Sequence, residues 1–386
     1  MADNKENKVL NVPALRFPEF TGEWKSVHLE DVAEFQKKRI SSDLLNNNNY
    51  ISTENILQNF EGIQYSSSIP TNTNVIEYQK GDILLSNIRP YLKKVWFSDR
   101  KGGCSADVFV LRGDKCDQHF LYYVIASDRF INYVMSGVKG VKMPRGDKNQ
   151  MKKYAFSIPT NTEQRKIAKF LSMLDERIKL QNKIIEKLET LIKGIVELAF
   201  SHAATSNTLG CYITQISQRN KTGKDLPVLS VSNKHGFVEQ SEQFEDRIIA
   251  SDDTSNYKIV DINDFAYNPA RINVGSIARL KDKECGIVSP MYICFRTSKD
   301  ILPEYLELFF KTVTFSFEVG KRLEGSVRLC LSYESLCEIV IPIISIREQQ
   351  SLVKMVTTFH SKLDVEKGFL SSYQSQKQCL LSQMFI

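Results

Sequence analysis

Residues 163–200 read EQRKIAKFLSMLDERIKLQNKIIEKLETLIKGIVELAF, and their apolar residues step by alternating four and three positions. The stretch 348–386, EQQSLVKMVTTFHSKLDVEKGFLSSYQSQKQCLLSQMFI, repeats this spacing at an offset of 185 residues (352 − 167). A 3.5-residue repeat sustained over several heptads indicates coiled-coil helices. We therefore predict two copies of one unit, each ending in a long helix. The predicted helix–helix seam consists of Ile167, Leu171, Leu174, Ile178, Ile185, Leu188, Ile192 and Ile195 in the first helix, and Leu352, Val356, Phe359, Leu363, Leu370 and Leu380 in the second.

The repeat extends upstream of the helices. Its matched segments are 81–89 with 263–271, 105–112 with 289–296, 120–134 with 304–317, and short strands ending at 158–159 and 341–342. The first two pairs are rich in β-branched and aromatic residues and are predicted to be strands, and the third pair is predicted to be one helix in each copy. Each long helix is predicted to start after a proline, Pro159 or Pro342, since the residue before proline avoids helical geometry.

These segments predict a mixed α/β fold of two similar globular domains. The boundaries are 1–160 for the first domain, 161–200 for a central spacer helix, 201–345 for the second domain and 346–386 for a C-terminal spacer helix. A straight 38-residue helix is about 57 Å long, so the second domain is expected near its far end. The two helices are then antiparallel, and the molecule is pseudo-twofold with its domains held apart. The alternative is that each seam is only the core-facing stripe of an independent domain.

Composition narrows the class of protein. The chain has 386 residues, 42% of them hydrophobic, without an apolar run near the roughly 18 residues of a membrane span. Its polar first residues do not form a signal peptide, so we expect a cytoplasmic protein that does not enter a membrane. The eight cysteines are scattered without metal-ligand spacing, which predicts reduced thiols and no metal site.

Positive charge is concentrated in two strips. Residues 136–153 carry six basic residues against one acidic residue, and residues 86–101 carry five against one, within a net charge of +6. Basic loops with interleaved aromatic residues predict a polyanion-binding face, and paired readers on a rigid spacer favour duplex DNA. The candidate DNA-contacting residues are Arg89, Lys93, Lys94, Lys139, Lys142, Arg145, Lys148, Arg271, Arg279, Arg322 and Arg328. The alternative for each is a solvated surface charge, and Arg89 and Arg271 could equally pair with carboxylates.

Motifs for catalysis are missing from the sequence. Gly223-Lys224 is followed by Asp225, not by the Ser or Thr of a phosphate-binding loop. The stretch Asn268-Pro269-Ala270-Arg271 resembles the signature of adenine methyltransferases only faintly, since the second proline and the aromatic residue are lacking. We therefore expect a binding protein with no catalytic residues and no cofactor of its own.

Several motifs together resemble the specificity (S) subunits of type I restriction-modification enzymes. They are Gly22-Glu23-Trp24, the stretches 86–91 and 105–112, and Ile158-Pro159 followed by Glu163-Gln164 and Leu174-Asp175. The resemblance implies two target-recognition domains, each reading one half of an asymmetric bipartite DNA site. It further implies that the spacer helices dock two methyltransferase (M) subunits, that restriction (R) subunits join them, and that S-adenosylmethionine, ATP and Mg²⁺ belong to those partners.

The second copy departs from the family pattern at two places. Two extra residues separate Pro342 from Glu348-Gln349, and Lys377 replaces the apolar residue that matches Ile192, which is expected to weaken the seam there. The competing hypothesis is a stand-alone two-domain DNA-binding regulator. Apolar residues off the seam favour a chain that docks partners, and these are Phe170, Ile184, Leu191, Leu198, Phe369 and Leu381.

Overall fold

The computed structural model describes residues 11–65, 68–138, 140, 142–201, 205–233, 235–239, 254–325 and 328–386. The chain divides into two compact units. Unit 1 comprises residues 1–182 and 368–386, and unit 2 comprises residues 183–367. Both divisions fall inside long helices, so each unit contains a part of both. The helices are α1 (Leu29–Val32), α2 (Gln118–Ile125), α3 (Asp128–Ser136), α4 (Lys148–Lys152), α5 (Asn161–Ser201), α6 (Pro303–Phe309), α7 (Val313–Lys321), α8 (Tyr333–Cys337) and α9 (Ile346–Gln383).

Unit 1 contains two four-stranded sheets and a two-stranded one. The strands are β1 (Lys25–His28), β2 (Ala33–Phe35), β3 (Arg39–Ser41), β4 (Tyr50–Ile51), β5 (Asn74–Tyr78), β6 (Ile83–Ser86), β7 (Val95–Phe97), β8 (Gly102–Cys104), β9 (Val108–Gly113) and β10 (Ala155–Ile158). The sheet orders are β2-β9-β6-β7, β3-β5-β8-β4 and β1-β10, antiparallel except for β4 with β8. The main core lies between the first sheet, α2, α3 and the start of α5, and Leu380 and Met384 at the C-terminal end complete it.

Unit 2 repeats this arrangement with local changes. Its strands are β11 (Thr205–Thr208), β12 (Ile213–Ile216), β13 (Val228–Ser232), β14 (Gly236–Glu239), β15 (Lys258–Asp261), β16 (Phe265–Tyr267), β17 (Ile277–Arg279), β18 (Cys285–Val288), β19 (Ile293–Thr297) and β20 (Val340–Ile343). The sheet orders are β12-β19-β16-β17, β14-β13-β18-β15 and β11-β20. Compared with unit 1, a hairpin strand β14 is added, and the counterpart of β3 is reduced to one bridge between Arg219 and Lys258. The predicted mixed α/β class and the duplication are confirmed.

One prediction about the domains is wrong: residues 120–134 and 304–317 do not form single helices. Each segment is two helices, α2 with α3 and α6 with α7. The break falls at a hydroxyl residue that caps the second helix, because Ser127 accepts from the N–H of Phe130 (3.2 Å) and Thr312 from that of Phe315 (3.1 Å). Capping by Ser or Thr satisfies N–H groups that would otherwise lack partners, so the apolar pattern continues while the helix axis does not.

A buried glutamine fastens the start of each long helix to its domain. Gln164 accepts from the N–H of Asp117 (2.8 Å), the residue that caps α2. Gln349 accepts from the N–H of Leu302 (2.9 Å), the residue that precedes α6. Both glutamines are at most 2% exposed. The glutamine of the Glu-Gln motif therefore has the same structural role in both copies, which is to fix α5 and α9 against a domain helix.

The seam residues predicted from the sequence are all buried or half-buried in α5 and α9. Within unit 1 the two helices run antiparallel, since Asp175 pairs with Lys377 (2.6 Å) while Arg177 lies over the ring of Tyr373. In unit 2 they are joined by an ion pair between Glu189 and Lys367 (2.8 Å). The expectation that Lys377 simply weakens the seam needs correction, because this side chain is only 15% exposed and has a counter-charge.

Replacing Asp175 with alanine is expected to lower the free energy of unfolding by about 1–2 kcal/mol, because two donors lose their acceptor. They are the Lys377 ammonium and the Tyr123 hydroxyl, which donates to Asp175 at 2.8 Å. Urea denaturation measures the change. Glu189→Ala is the control, since it removes a helix–helix pair whose side chains are about half exposed and should cost about 0.5 kcal/mol or less. Equal losses would contradict the argument.

Candidate nucleic-acid interface

The turn after β6 presents Arg89. Ser86, the last residue of β6, donates its hydroxyl to the carbonyl of Ile88 (3.0 Å), which tightens the turn. Arg89 has a left-handed backbone (φ 50°), uncommon for a residue other than glycine, and precedes a 3-10 turn at Pro90–Leu92. Its N–H donates to the carbonyl of Pro144 (2.8 Å). The side chain is exposed and has no carboxylate partner in the described parts of the chain, so the guanidinium faces solvent.

The equivalent turn in unit 2 presents Arg271. It follows β16 at Asn268, whose side-chain oxygen accepts from the N–H of Ala270 (3.1 Å). Arg271 precedes a 3-10 turn at Ile272–Val274, as Arg89 does in unit 1, but its backbone is not left-handed (φ −135°). Its side chain is also exposed, and no carboxylate among the residues described pairs with it. The structure thus does not support the alternative that Arg89 and Arg271 form ion pairs with carboxylates.

A basic segment lies against the Arg89 turn. Arg145 forms an isolated antiparallel bridge with Ile88, and the N–H of Gly146 donates to the carbonyl of Asn87 (3.0 Å). The Arg145 side chain is 53% exposed and pairs with Asp107 (2.8 Å). The two arginines predicted from separate basic strips are therefore brought onto adjoining stretches of backbone.

The matching segment of unit 2 presents Arg328. Glu324 and Cys330 form an antiparallel bridge around Gly325, whose φ of 122° requires glycine. The N–H of Leu331 donates to the carbonyl of Pro269 (3.1 Å), as Gly146 donates to Asn87 in unit 1. This hydrogen bond makes Cys330 the counterpart of Arg145, and the exposed Arg328 lies two residues earlier. The two arginines occupy matched segments but different positions.

The candidate lysines differ in how accessible their ammonium groups are to a ligand. Lys142 is exposed, whereas Lys93 pairs with Asp128 (2.7 Å). Lys94 donates to the carbonyl of Thr53 (2.7 Å), and burial lowers the pKa of its ammonium. Lys148 lies over the ring of Phe35 (4.7 Å), and its pKa is lowered by burial and then by Lys37 and Lys152. Lys139 lies outside the described residues.

Two other candidates are engaged inside unit 2. The side chain of Arg279 is 10% exposed and pairs with Glu304 (2.7 Å) and Glu307 (3.0 Å). Burial would raise the pKa of Glu307, but Lys311, Lys281 and Arg279 together hold it below its usual value. Arg322, the residue that follows α7, pairs with Glu318 of that helix. We assign Arg279 and Arg322 to the internal ion pairing of unit 2 and leave them out of the interface.

Two exposed arginines that the sequence did not single out complete the set. Arg39 begins β3 and donates to the carbonyl of Asn74 (3.1 Å). Arg219, at the single bridge that replaces β3 in unit 2, donates to the side chain of Asn256 (3.0 Å). The sequence carries no fixed spacing that would have marked them, because the separation from arginine to asparagine is 35 residues in the first pair and 37 in the second.

Two classes of feature were not found among the residues described. No helix there combines the length and the apolar character that a membrane span needs. Nor do three His, Cys, Asp or Glu side chains gather where they could hold a metal ion.

Comparison with known proteins shows which sequences this chain is similar to. Residues 21–190 match the type I restriction modification DNA specificity domain. The chain is 27% identical over 134 residues to the specificity subunit of the type I restriction enzyme EcoDI from Escherichia coli, covering 34% of this chain and 30% of that protein. It is 28% identical over 204 residues to the MjaVIII specificity subunit from Methanocaldococcus jannaschii, covering 51% and 46%. The matches thus span less than half the length of either relative.

Solved structures agree at the level of the fold. The S subunit of a type I restriction-modification system from M. genitalium is 18% identical, with a TM-score of 0.58 over 97% of this chain and 99% of that chain. A chain from a study of complex assembly and conformational transition in the type I R-M system is 16% identical, with a TM-score of 0.57 over 94% and 97%. The chain thus matches the type I restriction modification DNA specificity domain over residues 21–190, and its fold is similar to that of the S subunit from M. genitalium.

Proposed function

We propose that this chain is the DNA specificity subunit of a type I restriction-modification complex. Each unit carries one target-recognition domain, within 1–160 and 201–345, that reads one half of an asymmetric bipartite site. The chain contributes recognition and no catalysis. It directs methyltransferase and restriction subunits to the site in the cytoplasm, and S-adenosylmethionine, ATP and Mg²⁺ act in those partners.

The observation that carries this proposal is one arginine-bearing loop arrangement that occurs twice. In each unit an exposed arginine, Arg89 or Arg271, precedes a 3-10 turn and lies beside a basic segment held by the same backbone hydrogen bond. Exposed guanidinium groups without carboxylate partners can bind phosphate or guanine edges. The flanking arginines Arg145 and Arg328 differ in position, which is what two different half-sites require.

Partner docking is supported by the helix faces that point away from the seam. Ile184, Leu191 and Leu198 of α5 and Phe369 of α9 are 42–60% exposed, and Phe170 is 39% exposed. Apolar side chains repeated along a helix at solvent favour a protein partner. Leu381 does not belong to this set, because it packs partly buried against the core of unit 1. We infer that two methyltransferase subunits cover these faces.

The test is co-expression of the chain with its methyltransferase subunit in methylation-free cells, followed by direct sequencing of modified adenines. The proposal expects one bipartite, asymmetric motif that appears only when both proteins are present. A subunit complex that forms without new methylation would contradict it. Tight specific DNA binding by the chain alone, with no effect on methylation, would favour the stand-alone regulator.

Within that experiment, Arg145→Ala is expected to relax one base position of one half-site, at a cost of about 1–3 kcal/mol in binding. Asp107→Ala is the matched variant, because it removes the carboxylate that holds Arg145 and leaves the guanidinium in place. It should change specificity less than Arg145→Ala does. Weakening that is uniform across sequences would make Arg145 a phosphate contact instead.

A further inference from the structure

Arg39 and Arg219 occupy equivalent positions in the two units. In unit 1 the N–H of Glu77 donates to the carbonyl of Lys38 (2.8 Å), the residue before Arg39. In unit 2 the N–H of Ile259 donates to the carbonyl of Gln218 (2.8 Å), the residue before Arg219. The same register also matches their hydrogen-bond partners, Asn74 and Asn256, which lie three residues before Glu77 and Ile259 respectively.

Both arginines are available to a ligand. Each side chain is exposed, and each is held by one hydrogen bond through one terminal nitrogen. Neither has a carboxylate partner among the residues that the structure describes, in contrast to Arg145, Arg279 and Arg322. One such bond orients the planar guanidinium and leaves its other N–H donors free to bind two oxygens of an anion.

In unit 1, Arg39 borders a cleft. The cleft has a volume of about 290 Å³ and is lined on its other sides by Tyr50, Asn74, Ser105 and Ala106. Ser105 and Ala106 continue directly into Asp107, which pairs with Arg145. The carbonyl of Asp107 also accepts from the N–H of Asn87 (2.8 Å), in the turn that presents Arg89. The backbone that lines this cleft is therefore connected, through Asp107, with the turn that presents Arg89 and with Arg145.

The residues that flank the two arginines differ between the units, whereas the arginines themselves are the same. Backbone hydrogen bonds from Gly103 to Asn49 and from Ile287 to Pro227 make Tyr50 the counterpart of Val228. Bonds from Val108 to Ser105 and from Tyr292 to Ser289 make Ala106 the counterpart of Pro290. Side chains that read bases must differ between different half-sites, whereas phosphates are the same in every sequence.

We propose that Arg39 and Arg219 are matched DNA-backbone contacts, each binding a phosphate at the equivalent point of its own half-site and setting the position of its domain on the duplex. This inference rests on the proposed function. The inference distinguishes arginines that position the domain and occur in both units from arginines such as Arg145 that occur in one unit.

The test uses the complex of the full chain with its methyltransferase subunits and a duplex carrying the mapped site. Arg39→Gln and Arg219→Gln are each expected to weaken binding about tenfold, by the same factor on the specific duplex and on a duplex lacking the site. The slope of log K against log salt concentration should fall by about 1 for each variant. Arg39→Lys, which retains the charge, should recover most of the binding because a phosphate does not need a planar fork.

Lys38→Gln is the control, because this neighbouring lysine pairs with Glu77 (2.7 Å) and should leave the salt slope unchanged. Loss of discrimination at one base position would overturn the proposal and make Arg39 a base reader. Unchanged binding with an unchanged salt slope would overturn it as well. If the unsubstituted complex shows no sequence preference, the proposed function itself fails. If the complex is specific but its variants bind like the parent, only the inference about Arg39 and Arg219 fails.

Discussion

Replacing Arg16 with alanine is expected to lower the free energy of unfolding of unit 1 by about 3 kcal/mol, because it leaves a buried carboxylate without its counter-charge. That carboxylate is Glu163, which is fully buried at the start of α5. Arg16 donates to both of its oxygens, at 2.7 and 2.8 Å, and is itself 14% exposed. The indole N–H of Trp24 still donates to Glu163 (3.3 Å), so we place the loss at the lower end of the range for broken buried pairs.

Tryptophan fluorescence during urea denaturation measures this loss directly, since the chain has two tryptophans and both are buried in unit 1. The repeat supplies a control in Glu348, the counterpart of Glu163. Glu348 is exposed, and Ser345 is its one hydrogen-bond donor among the described residues, so Glu348→Ala should have little effect. The double variant Arg16→Ala, Glu163→Leu should recover much of the stability, because no charge is then buried alone. A single variant as stable as the parent would refute the argument.

The long helices could be predicted closely from the sequence because their apolar periodicity is local. Prediction placed α5 at 163–200 and the start of α9 at 348, and the structure has Asn161–Ser201 and Ile346–Gln383. The sheets could not be predicted in this way. The parallel pairing of β4 with β8, for example, joins Tyr50 to Gly103, and no short-range pattern specifies it. Pro342 was expected to end a strand, yet β20 continues to Ile343. This strand is paired with β11 on one side, and an edge strand tolerates proline, which has no N–H to donate.

The candidate site was predicted in part for a related reason. Arginines in matched turns, Arg89 and Arg271, could be found because the repeat marks them. The sequence could not show whether a basic side chain lacks an ion-pair partner, because such partners lie far away in the chain. Arg279 binds Glu304, 25 residues away, and Lys93 binds Asp128. Arg39 and Arg219 were missed since insertions shift their offset to 180 residues (219 − 39), away from the 185 of the helices.

Asp82→Ala and Asp264→Ala are each expected to destabilise their own unit by about 2–3 kcal/mol. These aspartates precede β6 and β16, and both are 1% exposed. Asp82 accepts two hydrogen bonds from Arg112 (both 2.7 Å) and Asp264 accepts two from Arg296 (2.6 and 2.7 Å). Each also accepts a backbone N–H, from Gln79 or Asp261. Alanine removes this acceptor from all three donors, although Arg296 keeps its hydrogen bond to Asp261 (2.7 Å). The loss stays moderate because the arginines are partly exposed and can be solvated.

The same geometry at the surface provides the control for both aspartates. Asp99 accepts two hydrogen bonds from Arg100, at 2.5 and 3.0 Å, but its side chain is 62% exposed. Asp99→Ala should therefore cost no more than about 1 kcal/mol. Tryptophan fluorescence reports on the variants of unit 1. For Asp264→Ala, faster amide hydrogen exchange in β16 and β19, with β6 and β9 unchanged, would locate the loss in unit 2. If Asp82→Ala and Asp99→Ala lowered the free energy of unfolding equally, burial would not explain why this Asp–Arg pair is important to the fold in both units.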